Sequence, residues 1–150
     1  MLDRLPPQNV EAEQSVIGAM MLEKEAISKV AEFLRPEDFY REAHRLIFAS
    51  ILGLFDQNEA IDIITVTEEM RKNEKLESAG GIAYITSLAN SVPTAANVLY
   101  YAKIVEEKAQ LRSLIYTATE IAQMGYEASD EVANIMDQAE KKILEISSRR

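Results

Sequence analysis

Residues 97–125 read NVLYYAKIVEEKAQLRSLIYTATEIAQMG, and this stretch decides the fold class of the chain. Neither Gly nor Pro, the two residues that most disfavour a helix interior, occurs before Gly125. The pattern therefore predicts one uninterrupted helix from residue 97 to about residue 124, roughly 40 Å long at about 1.5 Å per residue. Gly125 is expected to cap its C-terminus.

A second helix is predicted immediately downstream, from Ser129 as its N-cap to about Ser147. Asp130 and Glu131 place acidic side chains in its first turn, where the helix dipole favours them. Because the connection is short, we expect the two helices to form an antiparallel hairpin. The apolar residues of the second helix recur at the alternating spacing of a short coiled-coil seam, and they are Val132, Met136, Ala139, Ile143 and Ile146.

The first long helix carries more apolar residues than one antiparallel partner can cover. One stripe at helical spacing consists of Leu111, Ile115, Ala118 and Ala122. A second group flanks that stripe and consists of Ile104, Leu114 and Ile121. Either the N-terminal part of the chain folds over this surplus, or the surplus is an interface with another chain. The sequence leaves both alternatives open.

Residues 1–96 predict a head made of shorter helices. Apolar residues recur at helical spacing in 10–22, 24–34 and 40–56, and Asn9 is placed to cap the first of these segments. The Gly80-Gly81 pair predicts a turn before a further short helix, which stops ahead of Pro93. The side of that helix expected to face the core carries Ile82, Ile85 and Leu88.

One segment of the head is ambiguous. Residues 61–67 are rich in β-branched side chains, which is typical of a strand. However, Asp62 is a good N-cap, and Ile63, Val66 and Met70 continue at helical spacing, so we expect a helix. The predicted architecture is therefore all-α, with a small globular helical head (1–96) followed by a long antiparallel helical hairpin (97–150).

The composition narrows the classes of function. The 150 residues contain no Cys and carry a net charge of −9, which disfavours disulfide scaffolds, thiolate zinc sites and direct binding to nucleic acid. The acidic residues outnumber the basic ones mainly in the head, by 16 to 9. The absence of a signal-peptide pattern and of a membrane-spanning apolar run predicts a soluble, cytoplasmic chain. A protein partner with a basic surface fits this charge.

We expect no catalytic residue, metal site or cofactor in these residues. The sequence holds no phosphate-binding G-x-x-x-x-G-K-[ST] motif. The one histidine, His44, has Ile47 and Phe48 where a metal site would need further ligands, so it is expected to pack at the edge of the core. The acidic pair Glu11 and Glu13 is expected to lie on a solvated face or to interact with the helix dipole.

Several blocks of sequence follow one another in a fixed order along the chain. They are residues 6–19 (PPQNVEAEQSVIGA), 36–40 (PEDFY) with His44 downstream, Gly80-Gly81 before Tyr84, 92–97 (VPTAAN) and 101–108 (YAKIVEEK). Together they resemble the N-terminal region of bacterial replicative DNA helicases of the DnaB type. The resemblance runs from residue 6 to about residue 146, nearly the whole chain.

The resemblance implies that head and hairpin form the non-catalytic collar domain of a hexameric helicase. In this family the hairpins pair the subunits, three dimers form the collar, and the collar receives the C-terminal helicase-binding domain of primase during chromosomal replication. ATP and Mg²⁺ would be bound by a RecA-like ATPase domain outside these residues, and Arg149-Arg150 would begin the linker to it. The full-length protein would be an ATP-dependent DNA helicase.

The resemblance also implies roles for individual residues. Family positions implicated in primase binding fall on Tyr84, Ile115, Ile121 and, more weakly, Glu11. Dimerisation and hairpin packing are expected of Leu111, Leu114, Ala118 and Ala122, together with the five seam residues of the second helix. Two alternatives stay open for Ile115 and Ile121, which either contact primase or support the dimer. From the residues alone, Tyr84 is either an ordinary partly exposed tyrosine or an interface anchor.

A different class of function is a module that contacts or guides single-stranded DNA at the entrance of the helicase channel. Strand binding calls for a basic groove with stacking aromatic side chains. The net charge of −9 and the absence of Trp argue against this as the primary role.

Overall fold

The structure, a computed structural model, describes residues 4–149. Its helices are α1 (Val10–Leu22), α2 (Lys24–Ala31), a 3-10 helix (Pro36–Asp38), α3 (Glu42–Asp56), α4 (Ile63–Lys72), α5 (Gly81–Ala89), α6 (Val98–Glu127) and α7 (Val132–Ser147). No strand occurs among the described residues, and the all-α prediction is confirmed. Arg150, part of the predicted linker start, lies outside the described residues.

The described chain forms two compact units, and α6 contributes to both. The head unit comprises residues 8–107, and the hairpin unit comprises residues 4–7 and 108–149. The boundary predicted between residues 96 and 97 falls near the start of α6, whereas the two units divide inside that helix. No helix of residues 4–149 is both long and apolar enough to cross a lipid bilayer.

The head unit is built around one apolar core. The rings of Phe39 and Phe48 lie 4.7 Å apart between centroids and are tilted by 42°, a favourable aromatic arrangement. The first three turns of α6 close this core through Val98, Ala102 and Val105, all of which are buried. Other large side chains of the core that are fully buried include Ile17, Met20, Ile27, Leu34, Ile47, Ile51, Met70, Ile85 and Leu88.

Two helices of the head begin at the predicted N-caps. Asn9 Oδ1 accepts a hydrogen bond from the Ala12 N–H at 2.9 Å. In α4, Asp62 Oδ1 accepts from the Thr65 N–H, and Thr65 Oγ1 accepts from the Asp62 N–H, each at 2.9 Å. This reciprocal pair satisfies two backbone donors at the helix start. It explains why the β-branched segment is helical.

Glycine residues place α5 against α1. Gly80 and Gly81 have φ angles of +95° and +80°, a left-handed turn that leads into α5. On α1, a Cβ atom at Gly18 would lie 2.6 Å from the Leu88 carbonyl oxygen and 2.5 Å from Ser91 Oγ. The close packing of α1 against α5 therefore depends on the missing side chain.

The hairpin turn lies later in the chain than predicted. α6 continues through Gly125 to Glu127, and Ala128, with φ +44°, follows it. Gln123 Nε2 donates to Glu127 Oε2 at 3.0 Å across this additional turn of helix, an i to i+4 contact that supports it. Ser129 is not the N-cap of α7, because that helix begins at Val132 and has Glu131 as its N-cap.

Candidate functional site

The contact between α6 and α7 is narrow. On α6 the partly buried side is formed by Thr117, Glu120, Ile121 and Met124. On α7 the partly buried side is formed by Ile135, Ala139, Lys142 and Ile146. Lys142 Nζ lies 3.7 Å from Glu120 Oε2 across this contact. No side chain of α7 is buried, so the two helices cover little of each other's apolar surface.

Large apolar side chains remain exposed on both helices of the hairpin. The exposed fractions of the aliphatic ones run from 45% for Leu111 to 75% for Val132. On α6 the exposed stripe consists of Leu111, Leu114, Ile115, Ala118 and Ala122. On α7 it consists of Val132, Met136 and Ile143.

The two exposed stripes lie on the same side of the hairpin. At about 100° per residue, the stripe on α6 is rotated by about 120° from the side that faces α7. The stripe on α7 is rotated by about 70° from the side that faces α6, in the same sense along the chain. Because antiparallel helices run in opposite directions, rotation in the same sense leads to the same side of the pair. We call these eight residues the hairpin face.

The residues predicted for hairpin packing and dimerisation therefore fall into two groups. Ala139 and Ile146 lie on the side of α7 that faces α6. Ile104, which was predicted only as part of the flanking apolar group of the long helix, packs against the head core. The exposed group comprises Leu111, Leu114, Ala118, Ala122, Val132, Met136 and Ile143. These side chains are exposed in the described part of the chain, and contiguous exposed apolar side chains are typical of protein interfaces.

Three side chains from three helices of the head form a second feature, a polar cluster. Glu13 Oε1 on α1 lies 2.7 Å from His44 Nδ1 on α3, and His44 Nε2 lies 2.6 Å from the Tyr84 hydroxyl on α5. Glu13 and His44 are buried, whereas Tyr84 is only partly buried. The Tyr84 and His44 rings are nearly parallel, with centroids 5.9 Å apart and planes 12° apart.

Glu13 is the best-satisfied member of this cluster. Besides His44, its carboxylate accepts from the backbone N–H of Tyr40 at 2.7 Å and of Arg41 at 3.4 Å. A buried carboxylate is tolerated when its oxygens have such donors. The cluster therefore joins α1, α3 and α5 to the loop before α3.

Two expectations about the head are wrong. Glu13 is buried, with 1% of its surface exposed, and does not lie on a solvated face. The sequence did contain a signal for this, because Val16, Ile17 and Met20 follow Glu13 at i+3, i+4 and i+7 on one apolar stripe. Ile82 does not face the core but is 53% exposed, because the buried side of α5 is formed by Ile85 and Leu88.

The four residues expected at the primase contact are distributed over both units. Glu11 is exposed on α1, and Gln14, one turn further along that helix, donates from Nε2 to the Tyr84 hydroxyl at 3.1 Å. Ile115 belongs to the exposed hairpin face. Ile121 lies on the other side of α6, partly buried towards α7.

Residues 4–149 contain no candidate metal centre. No group of three or more His, Cys, Asp or Glu side chains in this part of the chain is arranged to hold a metal ion. What the described surface offers is an exposed apolar face and a hydrogen-bonded tyrosine. Contiguous exposed apolar side chains are typical of protein interfaces, and Tyr is enriched among interface hot spots.

The described residues form an all-helical domain with an exposed apolar face on its hairpin. The family model described as the DnaB-like helicase N-terminal domain matches residues 5–107. This chain belongs to that family, as the ordered sequence blocks predicted. The match is to the N-terminal domain of a replicative helicase, and the 150 residues contain no phosphate-binding loop motif.

Curated relatives agree with the family assignment. The chain is 54% identical over 148 residues to the replicative DNA helicase DnaC of Bacillus subtilis (strain 168). It is 52% identical over 148 residues to the replicative DNA helicase DnaB of Geobacillus stearothermophilus. Each match covers 99% of this chain and 33% of the relative, so the chain spans about a third of their length.

Solved structures agree as well. The crystal structure of the N-terminal domain of DnaB helicase from Mycobacterium tuberculosis superposes with a TM-score of 0.90 at 45% identity, over 95% of this chain and 99% of that one. A second structure, of a DnaB-like replicative helicase and its interactions with primase, gives a TM-score of 0.74 at 29% identity, over 92% of this chain and 31% of that one.

Proposed function

We propose that this chain is the collar domain of a hexameric replicative DNA helicase, which joins subunits in pairs and binds the C-terminal helicase-binding domain of primase. It would act in the cytoplasm during chromosomal replication, three dimers to a ring. ATP and Mg²⁺ would be used by an ATPase domain outside these 150 residues. The observation that carries this proposal is the exposed hairpin face.

Pairing through a second copy of the same face explains its composition. Contiguous exposed apolar side chains on both helices of a hairpin are costly in water and typical of protein interfaces. A two-fold axis would bring the face against itself, so that α6 and α7 of two subunits form a four-helix bundle. In that bundle Leu111, Ile115 and Ile143 would lose the exposure they have in the single chain.

Primase binding is supported by the second solved relative, which is described as a DnaB-like replicative helicase with its interactions with primase. On this chain we assign the contact to Tyr84 and Glu11, both of which present surface to the solvent. Ile115 is assigned an indirect role, because it belongs to the hairpin face that pairing would cover. Ile121 is assigned an indirect role, because its side chain is partly buried towards α7 and supports the hairpin.

Light scattering coupled to gel filtration tests the pairing. The wild-type chain is expected at twice its mass of 16.8 kDa, and Ile143→Asp is expected to shift it towards 16.8 kDa, because a carboxylate would be buried in the apolar interface. Gln138→Asp is the matched control, since residue 138 is exposed on α7 away from the hairpin face. A wild-type chain that stays monomeric at high concentration would refute pairing by this face.

Calorimetric titration with the C-terminal domain of the same organism's primase tests the proposed primase binding. Tyr84→Ala is expected to weaken binding by about tenfold or more, as truncation of an interface tyrosine does. Tyr100→Ala is the control, a tyrosine of the head that is 68% exposed. Absence of a complex at tens of micromolar would refute primase binding, and salt-sensitive binding of a labelled oligonucleotide would favour the strand-guiding module instead.

A further inference from the structure

We propose that Glu13, His44 and Gln14 are positioning residues that hold Tyr84 as a preformed anchor for primase. The inference rests on the proposed function, since it deepens the role assigned to Tyr84. Glu13 and His44 are buried and do not themselves reach a partner, whereas Gln14 is partly buried. Its basis is the chain of hydrogen bonds that begins inside the head and ends at the Tyr84 hydroxyl.

The Tyr84 hydroxyl is held by two hydrogen bonds. It bonds to His44 Nε2 at 2.6 Å and accepts from Gln14 Nε2 at 3.1 Å, with the two rings nearly parallel. A surface side chain that becomes ordered only on binding loses affinity through its rotamer entropy. Because these contacts order Tyr84 in the free domain, that loss is avoided when a partner binds.

His44 is itself held by Glu13. Its Nδ1 atom lies 2.7 Å from Glu13 Oε1, and the backbone N–H groups of Tyr40 and Arg41 fix the carboxylate. Nδ1 donates to the carboxylate both in the neutral Nδ1–H tautomer and in the imidazolium ion. The orientation of the imidazole, and the place of Nε2 beside the Tyr84 hydroxyl, are therefore the same in both forms.

The location of the polar cluster indicates that it positions Tyr84 and does not serve core packing alone. A buried carboxylate and imidazole cost desolvation free energy that apolar side chains of the same volume would not. In this head the polar chain does not close on itself within the core. It ends on a tyrosine that is partly exposed, on the helix that follows the Gly80-Gly81 turn.

Two substitutions of His44 separate its two hydrogen bonds. His44→Asn places an amide near Nδ1, which retains the bond to Glu13 and removes the bond to Tyr84. His44→Gln places an amide near Nε2, which retains the bond to Tyr84. We expect the primase domain to bind His44→Asn about 3-fold to 10-fold more weakly than wild type, the effect of losing one hydrogen bond. The affinity of His44→Gln for the primase domain is expected to lie between those of wild type and His44→Asn.

The Tyr84→Phe background shows whether the effect passes through the hydroxyl. Tyr84→Phe removes both hydroxyl bonds and leaves the ring, so it should weaken primase binding to a similar extent as His44→Asn. In the double variant His44→Asn is expected to cause no further loss, since the bond it removes is already absent. Gln14→Leu provides a third variant at a partly buried position, and it too should weaken binding only when the hydroxyl is present.

The outcomes separate this inference from the proposed function. If the wild-type domain does not bind primase, the proposed function and the inference both fail. A second outcome is that wild type binds primase and Tyr84→Ala does not. If His44→Asn and Gln14→Leu then bind like wild type, and circular dichroism shows that both are folded, only the positioning role is refuted. Equal losses from His44→Asn in the wild-type and Tyr84→Phe backgrounds would also refute it, because they would reflect the fold. If His44→Asn unfolds, Gln14→Leu decides alone.

Discussion

Gly18 is a residue at which the missing side chain is essential to the fold. Because a Cβ atom there would lie 2.6 Å from the Leu88 carbonyl oxygen, Gly18→Ala must push α5 away from α1. We expect Gly18→Ala to lower the free energy of unfolding by about 1–3 kcal/mol, the usual cost of overpacking. Urea denaturation followed by circular dichroism measures this change.

Gly53 supplies the opposite case and the control. It lies inside α3, and a Cβ atom there would have nothing within 4 Å. Gly53→Ala is therefore expected to raise the free energy of unfolding by about 0.5–1 kcal/mol, because Ala is the better helix former. If both alanine variants changed stability in the same direction, the close approach at Gly18 would not be the cause.

Glu13 and Glu11 form a second matched pair of residues on one helix. Glu13→Ala would leave the Tyr40 N–H, the Arg41 N–H and His44 without their carboxylate acceptor, and we expect a loss of about 3 kcal/mol or more. Glu11→Ala, at an exposed position, is expected to change stability by no more than about 0.5 kcal/mol. Thermal and urea unfolding of the two variants measure their stabilities. Similar losses of stability in both would show that the hydrogen bonds of the Glu13 carboxylate contribute little.

At the scale of the element, the start of α7 depends on Asp130. The backbone N–H of Glu131, which donates at 2.7 Å, and the Asn134 side chain at 3.2 Å hold the pKa of Asp130 below its ordinary value of 3.8. Since the pKa is lower in the folded state, this contribution to stability is fully present above pH 3.8 and disappears as the pH falls through the folded-state pKa.

Asp130→Asn tests this dependence. Wild type is expected to be the more stable of the two above pH 3.8, and the difference should shrink as the pH falls below that value. The measurement is the unfolding midpoint of both proteins across the acid range. A difference that stayed constant with pH would show that the charge of Asp130 plays no part.

At the scale of the whole molecule, self-association is expected to strengthen with salt. Each chain carries a net charge of −9, so two copies repel each other, whereas the hairpin face is apolar. From about 0.1 M to about 1 M salt the Debye length falls from about 10 Å to about 3 Å, which screens that repulsion. Sedimentation equilibrium at the two salt concentrations measures the effect, and weaker association at high salt would indicate that ion pairs dominate the interface.

The sequence by itself determined the fold class and most of the helix positions. Long stretches without Gly or Pro, the caps at Asn9 and Asp62, and apolar residues at helical spacing are local properties, and a helix is stabilised by contacts within a few residues. The ordered blocks likewise predicted the family that the comparisons show. The hairpin turn was predicted a few residues too early, because a left-handed Ala128 has no sequence signal comparable to that of Gly.

Contacts between side chains that are distant in sequence depend on how the helices pack. Glu13, His44 and Tyr84 are separated by 31 and 40 residues along the chain, and their contact exists because α1, α3 and α5 pack together. Local spacing likewise identified an apolar surplus on the long helix, but it did not divide the side that faces α7 from the exposed hairpin face. That division depends on the rotation of each helix about its own axis, which the packing of the whole chain sets.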